Sequence, residues 1–397
     1  MTFVPVPKLK AEAARACISR CVPFALYRLP SRGAGEWRFV ASLPDAEGRS
    51  AVSLDEDGAD CFFISRYGAD EPYMAGVRAD MDARAALRYL KENPEPGFAG
   101  ACEKAGRRST NYAAWLSAFN NCLEFVRAGG RKVVLSRMAA AFSCMEPSDI
   151  AEALASMNPP GHFTYLCFTP ENGLWYGSTP ELLLEQPKPD RLNTMALAGT
   201  LPASSDEPWD KKNKAEHAVV ADFICATLSS FGLEVRRGRT RTLASGAVRH
   251  LCTPISATGE AQFGPLLSAL NPTPAVAGVP RELAMAVIDA VETHQRRCYA
   301  GAVGVRLGGC VHAYVNLRCG FASPALDRST LREGFLHNIY GGGGIMPDSD
   351  SETEWDEVDR KLAPILSILD AARGDGKDIF DVSDLELLDP GDTPSRF

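Results

Sequence analysis

The sequence contains no paired C-x-x-C motifs, and its twelve cysteines are scattered, with Cys17 and Cys21 the only close pair. That spacing disfavours a structural zinc site and a disulfide framework, and the cysteines read as reduced, half-buried side chains of a cytoplasmic protein. The six histidines show neither H-x-H nor H-x-x-x-H spacing. His217 and His250 therefore read as structural histidines rather than metal ligands. No apolar run approaches the length of a membrane span, and polar and proline breaks in the first ten residues exclude an apolar leader core. Neither the dinucleotide fingerprint nor the phosphate P-loop occurs, and Ser136 and Ser178 lack a nucleophile-elbow context. Positive charge is not in excess either: the formal net charge is −8. This argues against nucleic acid or an anionic membrane as a partner and leaves an acidic small molecule open.

What remains is an ordinary globular balance over 397 residues, with 45% hydrophobic and 23% charged residues. That length suits two or three domains or one large α/β domain. A helix-like stretch at Leu9–Cys21 precedes strand-like segments at Phe24–Leu29 and Trp37–Ser42, and Asn93–Gly97 breaks the chain. From Ser109 the patterns sharpen. Thr110–Arg127 reads as a helix, Lys132–Arg137 as a strand, and Phe163–Phe168 and Leu174–Tyr176 as two more. Val219, Val220, Phe223, Ile224 and Leu228 form a helical stripe. Val311–Arg318 alternates strictly, which predicts a half-buried strand whose polar face ends in Arg318. A last helix is predicted over Glu352–Ala372, followed by a loosely held acidic tail. The elements interleave without a βαβ rhythm. We therefore expect an α/β (α+β) domain with large, mainly antiparallel sheets rather than a doubly wound sheet or a TIM barrel.

Carboxylates carry the strongest chemical signal. Glu354 and Glu357 share one helical face ten residues after the glycine run Gly341–Gly344, and Glu216 lies on a separate helix far upstream. Acids from distant segments beside exposed backbone N–H groups suit a hard divalent cation holding an anionic substrate. The same glycines suit a tight turn at positive φ, and the same acids suit an exposed helix start. Lys361, one turn beyond Glu357, suits an ion pair. Arg318 suits a bidentate carboxylate contact.

Eight segments, in order, resemble the chorismate-utilising enzymes, and among them the isochorismate synthases. They are Lys132–Arg137, Gly177–Leu184, Ala198–Thr200, Ala215–His217, His250–Leu251, Asn271–Pro280, Leu317–Cys319 and Tyr340–Lys361. Together they run through about 110–370, roughly two-thirds of the chain. The resemblance implies a large domain of two stacked, mainly antiparallel sheets with outer helices. It divides the chain into a variable N-terminal part of the same fold (1–105), a chorismate-binding catalytic region (106–372) and an acidic tail (373–397). It implies Mg²⁺, with Glu216 and Glu357 as direct ligands and Glu354 acting through water. Gly199, Thr200, His250, Ala275, Arg318, Gly342, Gly343, Gly344 and Lys361 would bind chorismate. Within the family, the residue at the place of Lys132 separates water-using members, which carry lysine, from ammonia-using members, which carry glutamine. Members that attack with their own lysine carry it where Ala198 stands. Lys132 would accordingly be the base that activates water for attack at ring C2. Glu181 would be the acid that protonates the departing C4 hydroxyl.

Isochorismate formation, feeding menaquinone, siderophore or salicylate pathways, is the implied activity. A salicylate synthase that also eliminates pyruvate is the alternative, ahead of an ammonia-using anthranilate-type component. Neither a glutaminase subunit nor a stable oligomer is expected. Lys132 must shed a proton although a free lysine titrates at about 10.4, a cost of roughly 4–5 kcal/mol at pH 7, and Glu181 needs the opposite shift. One departure stands out: Asn213 occupies a place where the family usually has an acid. It is expected to order a metal-bound water and to weaken Mg²⁺ binding.

Overall fold

The structure is a computed structural model. It describes every residue except 1–4, 31–34, 46–47, 56–57, 70–72, 95–102, 158–160, 247, 372–379, 381 and 389–397. Most of the predicted break at 93–97 and much of the tail lie outside the described residues.

Two antiparallel sheets stack face to face. The first runs in the order 278–279, 132–143, 332–345, 319–327, 173–179, 163–169, 24–28, 38–41, with 385–387 added beside 319–327. The second runs 234–237, 248–258, 191–202, 182–188, 310–315, 302–307, 61–64, 73–78, 51–53, with 241–245 added beside 248–258. The N-terminal segment thus supplies outer strands to both sheets. The acidic tail is not loose throughout: Leu385–Leu387 is held as a strand because it pairs with Ala325–Asp327.

Two buried clusters hold the layers together. One fills the space between the sheets, where Tyr27, Phe62, Phe163, Tyr165 and Tyr314 meet ring to ring. The other seals the first sheet under its helices and includes Trp37, Trp115, Ile150, Leu166 and Ile365. The helices start where the chain supplies caps. Asn111 accepts from the Ala114 N–H ahead of Tyr112–Arg127, and Asp210 accepts from the Asn213 N–H ahead of Lys211–Ser230. The helix Ser351–Ala371 begins with Glu352 and Glu354 in its first turn, where acids offset the helix dipole. No helix among the described residues is long and apolar enough to cross a membrane.

Two expectations are corrected. The strand predicted through Arg318 ends at Val315 (Cys310–Val315), and beyond the half-buried His312 its polar face turns inward. Tyr314 stacks on Phe163 at 4.7 Å between the sheets, and the buried Asn316 accepts from the Tyr165 hydroxyl at 2.6 Å. From Ala313 to Asn316 the alternating chain is buried on both faces, and its polar groups are satisfied inside. The glycine run is likewise not a turn at positive φ. Gly341–Gly344 lies within the strand Arg332–Ile345, paired to Val134–Arg137. The glycines are required by close approach instead. A Cβ at Gly344 would collide with Glu216 Oε1, and one at Gly343 would sit 3.3 Å from Glu354 Oε2.

Candidate active site

The chain changes sheets twice at one corner. It leaves Gly173–Thr179 in the first sheet, passes Pro180 and Glu181, and enters Leu182–Lys188 in the second. It leaves Cys310–Val315 in the second sheet, passes Asn316, Leu317 and Arg318, and enters Cys319–Asp327 in the first. The two crossings brace each other. The Val315 N–H donates to the Glu181 carbonyl at 3.0 Å, and the Ser178 N–H donates to the Arg318 carbonyl at 3.1 Å. Arg318 holds φ at +48°, a left-handed conformation that costs a non-glycine residue about 1–3 kcal/mol. Glu181 and Arg318 therefore face one place from opposite crossings, where the strand Arg332–Ile345 overhangs its neighbour beyond the Gly320–Ile339 pair.

A pocket opens at this corner. Glu181, Gly199, Thr200, Glu216, His250, Ala275, Arg318, Gly342, Gly344, Glu357 and Lys361 line it. Three residues expected at the site stand just behind this wall. Gly343 faces Glu354 Oε2 at 3.3 Å from where its Cβ would lie, and Lys132 is buried with its Nζ 2.9 Å from Glu216 Oε1.

The three carboxylates expected to bind metal come from two helices, Lys211–Ser230 and Ser351–Ala371, and converge on Gly343–Gly344. Each is turned toward a lysine. Lys132 pairs with Glu216, Lys212 with Glu354, and Lys361 Nζ lies 2.8 Å from Glu357 Oε1. Lys361 Nζ also donates to the Gly342 carbonyl at 2.7 Å. So turned, no three His, Cys, Asp or Glu side chains among the described residues form a ready ligand set. The donors are nonetheless all oxygen and all within reach of one glycine cradle, which suits a hard cation of the magnesium type.

The opposite wall is a bulge. The strand Arg191–Pro202 slips register between Ala198 and Thr200, with Gly199 at φ +75°. His250 Nδ1 lies 3.1 Å from the Gly199 carbonyl and 3.3 Å from Thr200 Oγ1. Asn213 departs from expectation. Its Oδ1 accepts from the Thr200 N–H at 2.9 Å and its Nδ2 donates to Asp210 at 3.0 Å, so its amide is engaged away from the carboxylates.

Burial sets the protonation states. It raises the Glu181 carboxyl to about 8 against the opposing pull of Lys132 and Lys361. It raises Glu354 as well, helped by the charge of Glu357 and opposed by Lys212. His250 is pushed down to about 3 by burial and then by Arg318 and Lys361, which keeps it neutral. Burial lowers the Arg318 guanidinium to about 10.

Sequence reasoning missed an outer layer behind Arg318. Arg318 Nη2 donates to the Ser245 carbonyl at 3.0 Å, and the Ser245 hydroxyl meets His162 Nε2 at 2.9 Å. It also missed Tyr299, whose ring stacks on Tyr340 at 5.4 Å along the pocket wall, and Lys212 as the partner of Glu354. These residues sit far apart in sequence and carry no periodic signal.

Fold and corner pocket together describe an α/β domain of two stacked sheets with one pocket at their corner, and the sequence places it in a class. A profile of the family described as "Chorismate binding enzyme" matches residues 69–370, and the chain belongs to that family. It is 29% identical over 276 residues to the isochorismate synthase MenF of Pasteurella multocida, covering 66% of this chain and 62% of that protein. The chain thus spans about three-fifths of that relative's length. Anthranilate synthase component 1 of Saccharolobus solfataricus is 28% identical over 301 residues, covering 70% of this chain and 68% of that protein. Among solved structures, MenF of Escherichia coli superposes with a TM-score of 0.70 at 20% identity, covering 91% of each chain, which shows a shared fold.

Proposed function

We propose that this protein is an isochorismate synthase that isomerises chorismate by adding water at C2 and expelling the C4 hydroxyl, with Mg²⁺ bound. The observation that carries the reading is Glu181. It is a buried carboxyl raised to about 8, open to a pocket that also presents Arg318 and Lys361. A carboxyl protonated at neutral pH can give its proton to a leaving hydroxyl. The net change is balanced. Water enters at C2 and gives a proton to the base, the two ring double bonds shift, hydroxide leaves C4 with the Glu181 proton as water, and exchange with solvent returns a proton to Glu181 and takes one from the base.

Arg318 and Lys361 would hold the substrate carboxylates, the first through its planar fork and the second as a point charge. Neutral His250 and the Gly199–Thr200 bulge would close the opposite wall. Lys132 would take the proton from the attacking water, for which Glu216 must turn away from it. Glu216, Glu357 and, through water, Glu354 would hold the Mg²⁺, which supplies charge to fix the ring carboxylate. Lysine at position 132 and alanine at position 198 favour water as the nucleophile over ammonia or an enzyme lysine.

The test is product analysis by chromatography of the purified chain with chorismate, with and without Mg²⁺. Isochorismate appearing only with Mg²⁺ is the expected outcome. Salicylate with stoichiometric pyruvate would move the assignment to a salicylate synthase. A product that forms only with ammonium would move it to an anthranilate-type component. The reading also takes the protein to be a monomer acting in the cytoplasm without a glutaminase subunit, with residues 106–372 as its catalytic region.

A further inference from the structure

We propose that Asn213 is a positioning residue, whose side-chain amide locks the Gly199–Thr200 bulge, and through it His250, onto the helix that carries Glu216. The proposal deepens the active-site reading above and rests on it for the meaning of that wall.

The geometry is a closed chain of contacts. Asn213 lies one helical turn before Glu216, at the start of Lys211–Ser230. Its Oδ1 accepts the Thr200 N–H at 2.9 Å. Its own N–H and its Nδ2 both donate to Asp210 Oδ1, at 2.7 and 3.0 Å. The residue is only 8% exposed, so solvent cannot readily replace either bond. Gly199 packs directly on it. A Cβ at Gly199 would lie 3.1–3.3 Å from the Asn213 carbonyl oxygen, Oδ1 and Cβ. On the far side of the bulge, the Gly199 carbonyl and the Thr200 hydroxyl both meet His250 Nδ1. A carbonyl can only accept, so Nδ1 of neutral His250 carries the proton, and the bulge fixes the tautomer of the imidazole. Asn213 therefore ties the helix that bears one expected metal ligand to the wall that faces the substrate.

This role requires an amide. A carboxylate could still accept from Thr200 but could not donate to Asp210. It would stand about 3 Å from the Asp210 oxygen, where two ionised acids repel strongly. An acid at this position would thus push the bulge away from the helix instead of adding a useful charge to the carboxylate cluster.

The experiment is a double-mutant cycle in the full chain: N213D, D210N and D210N/N213D, with N213A as a charge-free variant that removes both bonds. Two readouts are taken: hydrogen exchange over 197–202, and kcat and KM for chorismate at saturating Mg²⁺. N213D and N213A should both speed exchange across the bulge and raise KM at least about tenfold, with a smaller change in kcat. D210N/N213D should return KM to within about threefold of wild type. In that variant the introduced amide at 210 still caps the helix and can donate back to 213. Unchanged exchange and KM in N213A would overturn the proposal. So would an N213D protein that binds chorismate as wild type does and needs less Mg²⁺ for half-saturation, since the acid would then serve the cation. Failure of the wild-type chain to make isochorismate would sink the functional reading alone, because the exchange measurement tests the lock independently of turnover.

Discussion

Replacing Glu181 by glutamine should make the protein more stable at alkaline pH and abolish its reaction. Glutamine keeps the shape and removes the ionisation. The carboxyl titrates at about 8 in the folded chain against an ordinary 4.5. The folded state therefore holds a proton that the unfolded state has released throughout that window. Stability must fall as pH rises from about 4.5 to about 8, by about 1.36 kcal/mol per unit, and level off above it. Over the full window the loss is about 3–5 kcal/mol, a large share of the 5–15 kcal/mol that holds a typical domain. Urea unfolding of wild type and Glu181→Gln at pH 5 and pH 8.5 measures it. The variant should gain on wild type by several kcal/mol at the higher pH and by little at the lower. In parallel, wild-type kcat should fall as pH rises through about 8, as the acid is lost. An equal stability difference at both pH values would refute the raised carboxyl. Substantial isochorismate production by the variant would refute its role as the acid.

Three further outcomes follow from the same geometry. Lys132→Ala should lower the rate of isochorismate formation by about 10²–10⁴ with an unchanged circular dichroism spectrum, and a rate within tenfold of wild type would remove it as the base. Gly344→Ala puts a methyl group against Glu216 Oε1 and 3.0 Å from Lys132 Cε. It should cost about 1–3 kcal/mol in urea unfolding together with most of the activity, and a stable, active variant would show that the cradle has room to spare. Arg318→Lys loses the planar fork and the donation to the Ser245 carbonyl. It should raise KM for chorismate about tenfold or more with a smaller effect on kcat, and an unchanged KM would place the substrate carboxylates elsewhere.

The sequence was legible where a single periodicity governed a segment. The helix Tyr112–Arg127 and the strands Phe163–Thr169 and Gly173–Thr179 fall within a few residues of their expected bounds. It was less legible where both faces of a strand are buried, because alternation then carries no contrast. Lys132–Ser143 was read only to Arg137 for that reason, its second half being Met138, Ala139, Ala140, Ala141, Phe142 and Ser143, all buried. The sheet crossings were invisible. Val315-Asn316-Leu317-Arg318 keeps the alternation of a continuing strand while the backbone turns through a left-handed residue. Most residues named from motifs line one pocket, with Lys132, Gly343 and Glu354 just behind its wall, but the partners that set their charge could not be read. Lys212 and Glu354 are separated by 142 residues, and Ser245 and His162 by 83.

The sheet crossings also bear on how the proposed acid and the proposed base share one small site. A group kept protonated and a group required to lose its proton need different surroundings within a few ångströms. Glu181 sits on a crossing, enclosed by both sheets, and desolvation is the largest influence on it. Lys132 lies at the start of a strand in the first sheet, beside the glycine cradle where Glu216, Glu354 and Glu357 gather. The first sheet thus sets a carboxylate 2.9 Å from the amine, and the proposed base is free to act only once Glu216 has turned away from it. Desolvation at the crossing holds the proposed acid in its protonated form, while the readiness of the proposed base depends on where Glu216 turns.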